Sequence, residues 1–335
     1  MIATIIWLIV SLVVILVGAE ILVDGSSSLA RRLGMSQLEV GLTVVAFGPS
    51  PPEQVISKIS SIHGVTQLAV GNVVGSNIFN ILAIIGLTAL IRPLRVQPSV
   101  MSSQMPIMVL SALIMLMLGN SVFLDGTAVN LISRTSGIFL LILFVLFMIY
   151  TVLTTRVPKL ANLPSGMHQP MKAKTVEESE GAPMMPLWRQ ITYIIVGLAG
   201  LIWGGDRFVD SASDLARHLG MSEALIGLTV VACGTSLPEM ATSVVAAIKG
   251  NAGLAVGNII GSNIFNISLV LGAAATVAPL SMGTIGNIDL FVLAGASLLF
   301  WLMGKVWGDH VINRPEGGIL LAGYIAYTGW LISGI

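Results

Sequence analysis

Gly41 to Glu53 reads GLTVVAFGPSPPE, and Gly227 to Glu239 reads GLTVVACGTSLPE. Each is an apolar run that stops at Gly, Ser and Pro and then presents one carboxylate. An acid inside an oily span is expensive to keep there, so it marks a function unless a partner explains it. Two such acids at matching places in two halves of a chain point to one site built from both halves.

The surrounding sequence is that of an integral membrane protein. Of 335 residues, 55% are hydrophobic and 10% charged, against roughly 25% charged in soluble domains. Mean hydropathy is +0.93. The formal net charge is zero, which gives no footing for nucleic acid. The single cysteine, Cys233, excludes an internal disulfide framework and a cysteine metal cluster. The first apolar run has no positive leader and reads as a span, not a cleaved signal.

A membrane crossing takes about 20 apolar residues. By that length, about ten runs qualify, near 2–30, 38–62, 68–91, 103–120, 126–152, 188–216, 223–248, 253–278, 286–305 and 314–334. The expected organisation is a first repeat over 1–155, a polar cytoplasmic linker over 156–187, and a second repeat over 188–335. A constant offset of 186 aligns Gly18 with Gly204 and carries on without a gap to Pro93 and Pro279. LARRLGMS (Leu29–Ser36) meets LARHLGMS (Leu215–Ser222), and LAVGNVVGSNIFNI (Leu68–Ile81) meets LAVGNIIGSNIFNI (Leu254–Ile267). Five spans per half is an odd number, so the second half enters from the opposite side, and the expected fold is all-α with two inverted five-helix repeats. Counting Lys and Arg in the connections places both termini outside and the linker inside the cell membrane.

Chemistry concentrates at the break in each copy. Pro238 has no N–H and clashes with the carbonyl of Gly234, so the helix is expected to break and to free the carbonyls from Ala232 to Thr235. Freed carbonyls are tolerated in a membrane only where they line a cavity. Carbonyls, hydroxyls and a carboxylate are hard oxygen donors, suited to Na⁺ and Ca²⁺. The next span of each half adds Ser76 with Asn80 and Ser262 with Asn266, four residues apart and so on one helix face. Taken singly, a Gly-Ser-Pro kink is more often structural and Ser and Asn often only join helices. The recurrence of kink, acid and Ser/Asn face in both halves favours a site. Asp206, Asp210 and Asp214 form a stripe four residues apart, read first as the wet end of a long helix pairing with Arg207, and otherwise as an entry vestibule for cations. Cys233 reads as packing.

These residues resemble the sodium/calcium exchanger family of cation/Ca²⁺ antiporters. The family carries G-T-S-x-P-E followed by G-S-x-x-x-N in each repeat. Gly234 to Glu239 and Gly261 to Asn266 match it. The resemblance implies ten helices, four ion positions at mid-membrane, and a first and sixth span that slide together across the other eight. Carried over, the metal ligands would be Glu53, Glu239, Ser50, Ser236, Thr235, Ser76, Ser262, Asn80 and Asn266, with the carbonyls of Ala46 and Ala232. The first copy departs from the pattern. Pro49 stands where the family has Thr and keeps only its carbonyl for the site, Pro51 and Pro52 follow, and Gln54 and Lys58 lie beyond Glu53. The family implies a secondary antiporter exchanging Na⁺ for Ca²⁺, with inorganic cations and the bilayer as its partners, no cofactor, and function as a monomer. A Ca²⁺/H⁺ antiporter on the same scaffold is the nearest alternative. More distant are an ion channel and an intramembrane enzyme, the latter disfavoured because no mid-span His or Cys sits at nucleophile or ligand spacing.

Overall fold

The computed structural model describes residues 2–46, 66–126, 129–156, 185–220, 232–283, 285–307 and 310–333. Its helices are α1 (Ile2–Leu33), α2 (Thr66–Ile78), α3 (Gln104–Leu118), α4 (Arg134–Arg156), α5 (Leu187–His218), α6 (Leu237–Ile248), α7 (Ala252–Phe265), α8 (Asn287–Leu302) and α9 (Arg314–Ser333), with shorter helical turns between them. Seven helical stretches among the described residues are long and apolar enough to cross a membrane. α9 is a further helix of 20 residues. The expected second and seventh spans, 38–62 and 223–248, are described only in part, so the figure of ten stays an expectation. The fifth span begins later than the apolar run suggests. Residues 131–132 are a strand, and Arg134 opens the helix instead of lying inside it. Its guanidinium is exposed and donates to the carbonyl of Val277, 3.3 Å away.

Burial separates a centre from a rim. The stretch Ala252–Val277 is 94% buried over its most apolar window and Ala69–Ile91 is 78% buried, whereas α4 and α5 are each 22% buried. The two Ser/Asn spans therefore form the middle of the molecule, and α1, α4 and α5 face outward. Rows of exposed Ile, Leu and Val on α1 and α4 are what a lipid-facing surface requires.

The repeat seen in sequence is present in space. α1 and α5, the first helices of the two halves, pack through glycine. A Cβ on Gly18 would meet the backbone of Gly197 and Leu201 at 3.0 Å or just over, and one on Gly204 would meet the carbonyl of Ser11 at 3.1 Å. As residue number rises on α1 it falls on α5, so the helices run antiparallel, as inverted halves demand. Gly86 touches the backbone of Gly317 and Leu321, and its counterpart Gly272 touches Gly137. Small residues let these backbones approach closely. Two short antiparallel ladders repeat the theme. β1 (Leu94–Arg95) pairs with β4 (Val311–Ile312), and β2 (Leu131–Ile132) pairs with β3 (Leu280–Ser281). Each ladder joins one half to the other.

One polar clasp lies on the α1 side. Lys249, just after α6, reaches Asp24 at 2.6 Å and Glu20 at 3.4 Å. All three are partly exposed, so the clasp contributes at most about 1 kcal/mol. Lys249→Met is expected to lower the melting midpoint in detergent by about 1–4 °C. The difference should shrink in 1 M salt, where screening reaches about 3 Å. A loss of folded protein on this substitution would show that the clasp matters far more than surface pairs do.

Candidate ion site between the two halves

The break in the second half forms where the sequence places it. A helical turn covers Ala232–Thr235, Ser236 leaves the helix with φ −95° and ψ 7°, and α6 restarts at Leu237. Pro238 sits in the first turn of α6, where no N–H is needed. One detail differs from expectation. The carbonyl of Cys233 is not freed but accepts from the N–H of Ser236 at 3.2 Å, because the chain tightens into a three-residue turn before it breaks. The Cys233 thiol lies 3.1 Å from the Tyr324 hydroxyl, and Phe79 packs edge-on to that ring at 5.2 Å, so this cysteine serves packing.

Glu239 occupies the first turn of α6 and is 1% exposed. The N-terminal end of a helix favours negative charge, so the half-helix holds this carboxylate where water does not reach. Thr235 and Ser236 beside it are buried too. The turn Ala232–Thr235 packs on α2, which carries Ser76, and α6 packs on the π-helical segment Phe79–Ile85, which carries Asn80. The break of the second half therefore faces the Ser/Asn span of the first. In the first half the described chain ends at Ala46, before the matching run. The π-helical segment Gly41–Val45 packs on α7, and a Cβ on Gly261 would lie 2.9 Å from the carbonyl of Leu42 and closer still to Ala46. Ala46 is thereby set against Gly261, which precedes Ser262 in the chain.

Among the described residues, the hydroxyls of Ser76, Ser236 and Ser262 and the amide oxygens of Asn80 and Asn266 are buried with no hydrogen bond to the protein. Native proteins leave few buried polar atoms in that state, and each calls for an explanation such as an ion or water. The packing puts the break that carries Thr235, Ser236 and Glu239 against the segments that carry Ser76 and Asn80, sets Ala46 against the helix that carries Ser262, and bonds Asn266 to Asn77. Ala232 lies on the same break. Glu53, Ser50 and Pro49 lie outside the described residues, as do Pro51, Pro52, Gln54 and Lys58.

Three features of the site were not read from the sequence. Asn258 is buried, and its amide donates to Ser243 at 2.9 Å and to the carbonyl of Glu239 at 3.3 Å, tying α7 to α6. Its place four residues before Ser262 puts it on the same helix face, a spacing that would have found it. Asn77 and Asn263 bond across the centre. The third feature is a π-helical segment in each half, Phe79–Ile85 and Asn266–Leu271, at the ligand-type asparagines. Such widened turns occur often at functional sites, and nothing in the residue pattern announces them.

A cavity of 340 Å³ opens beside the break, lined in part by Gly205, Asp206, Asp210, Gly234, Thr235 and Pro238. Arg207 stands 3.9 Å from Asp210 with both side chains more than half exposed, and Asp214 pairs with Arg217 at 2.9 Å. Asp206 and Asp210 thus line an opening that reaches Thr235, while the exposed Arg207–Asp210 pair is that expected of a wet helix end. Glu39 caps the short helix Gln37–Val40, its carboxylate accepting from the N–H of Ser36 at 2.7 Å.

Antiparallel halves, a broken helix presenting a buried acid, and hard oxygens around it define a membrane-embedded secondary transporter for cations. The comparisons with known proteins agree. The family described as sodium/calcium exchanger protein matches residues 3–153 and 189–333. The putative antiporter CaxA of Alkalimonas amylolytica is 38% identical over 99% of this chain and 100% of its own length. The inner membrane protein YrbG of Escherichia coli strain K12 is 37% identical over 97% and 95%, and the sodium/calcium exchanger MaX1 of Methanosarcina acetivorans is 30% identical over 96% of each. A solved structure of the sodium-calcium exchanger NCX_Mj, soaked with 2.5 mM Na⁺ and 0.1 mM Ca²⁺, superposes with a TM-score of 0.80 at 29% identity and covers 97% of each chain. The chain belongs to the sodium/calcium exchanger family, and it is a cation/Ca²⁺ antiporter of the membrane, not an enzyme.

Proposed function

We propose that this antiporter exchanges Na⁺ for Ca²⁺ across the cell membrane by alternating access. The observation that carries the proposal is the buried Glu239 in the first turn of α6, on a break packed against segments whose Ser76 hydroxyl and Asn80 amide oxygen have no hydrogen-bond partner among the described residues. Those groups are of the type that binds Na⁺ and Ca²⁺. In this reading Glu53, Ser50, the carbonyls of Pro49, Ala46 and Ala232, and Thr235 complete the ligand set. Two carboxylates near each other in a poorly polarisable interior do not both stay charged and bare. One Ca²⁺ neutralises the pair, and so do two Na⁺. The empty, doubly charged site is then too costly to carry between faces, which makes the protein an exchanger and not a leak. A third Na⁺ on neutral oxygens such as those of Ser236 and Ser262 makes the cycle electrogenic. α1 and α5, packed together through glycine, move as one body, and both termini lie outside with the linker in the cytoplasm.

Protons in place of Na⁺ give the competing scheme. Purified protein in vesicles separates them. Ca²⁺ uptake is expected to follow an outward Na⁺ gradient at fixed pH, and to be at background with a pH gradient and no Na⁺. The opposite pattern would assign the counter-ion as H⁺.

A further inference from the structure

We infer that Asn77 is a positioning residue that aims the amide oxygen of Asn266 at the cation. The inference rests on the proposal above that Asn266 is a ligand, and it adds a residue on which that ligand depends.

The geometry leaves each amide one orientation. Asn77 is fully buried, and one end of its side chain lies 3.2 Å from the main-chain carbonyl of Asn263. A carbonyl oxygen only accepts, so that end of Asn77 is the NH₂ group. Its other end is then the oxygen, and it lies 3.1 Å from the side chain of Asn266. An oxygen there needs a donor, so Asn266 turns its own NH₂ to Asn77. The remaining atom of Asn266 is its amide oxygen, which is buried and, among the described residues, meets no hydrogen-bond donor. A relay of two amides anchored on one main-chain oxygen thus fixes which atom of Asn266 is free.

The other half lacks this relay. Asn263 is the counterpart of Asn77 by the offset of 186, and it donates to Ile259 of its own helix at 2.7 Å, not to Asn80. Asn266 is preorganised by a residue of the opposite half, whereas Asn80 is not held by Asn263. A ligand already held in its binding geometry loses less freedom when the ion arrives, so removing its holder weakens binding more than it slows the loaded carrier.

The test is Ca²⁺ uptake by the purified full chain in Na⁺-loaded vesicles, for the parent, N77A, N77L, N263A, N266A and the double variant N77A/N266A. Leucine keeps the branched shape of Asn77 without its polar ends, so N77L carries the comparison if N77A melts early. Both Asn77 variants are expected to raise the KM for Ca²⁺ about fivefold, the factor that one ordinary hydrogen bond allows, with kcat within about twofold of the parent. N263A removes an equally buried amide and is expected to keep the parental KM. The double variant is expected to show no rise beyond that of N266A. Parental KM values in N77A and N77L, or losses that multiply in the double variant, overturn the inference while leaving the transport function standing. A parent without Na⁺-dependent Ca²⁺ uptake overturns the functional proposal, and the inference falls with it.

Discussion

Glu239→Gln is expected to abolish Ca²⁺ transport while leaving a folded protein. Glutamine has nearly the shape of glutamate and keeps a carbonyl oxygen, so packing around the first turn of α6 is preserved. What it removes is the charge. At an effective dielectric near 20, unit charges 4 Å apart interact by about 4 kcal/mol, and a divalent ion doubles that. A quarter of this sum already exceeds tenfold in affinity. The same substitution should stabilise the ion-free protein. A carboxylate 1% exposed loses most of its hydration, and replacing it with a neutral group removes that burden. The expected pair of results is a melting midpoint in chelator equal to or above the parent, and loss of the rise that Ca²⁺ gives the parent. Uptake at the parental rate, or a retained Ca²⁺-dependent rise, would remove Glu239 from the site.

Gly257→Val is expected to cost the fold itself. A Cβ at this position would come 2.5 Å from the carbonyl of Leu38 and 3.1 Å from the Cα of Gly41. Both neighbours are backbone and neither can rotate aside. Overpacking of a tight core costs typically about 1–3 kcal/mol, and here the segment forced away is the buried π-helical stretch Gly41–Val45. The expected outcome is a melting midpoint lower by about 5–10 °C and a loss of monodisperse protein in detergent. By contrast, Gly34 has open space around it, and although its φ of +64° strains any side chain, no backbone stands in the way. A substitution there should be far milder than at Gly257, and equal losses at both would show that close helix approach is not what Gly257 provides.

The sequence allowed the repeat, the inversion and the second break to be read because each is written in local chemistry. Pro238 and Gly234 decide where the helix stops, and the regular Ser262 and Asn266 decide which face is polar. The acid pattern on α5 was legible, but not the cavity that Asp206 and Asp210 share with Thr235. The relay through Asn77 was hidden for another reason. Asn77 stands next to Ser76 and so off its face of the helix, and its partners are 186 and 189 residues away. Only the crossing of the two central spans brings them together. The late start of the fifth span was also out of reach, because a two-residue strand at Leu131–Ile132 has no period to detect.

The short ladders carry one more consequence. Each half finishes a sheet with a strand borrowed from its mirror, and each supplies the backbone surface against which the other's glycines close. A lone half would leave those strand edges unpaired and its close-packing glycines uncovered. Neither half is therefore expected to hold its fold without the other.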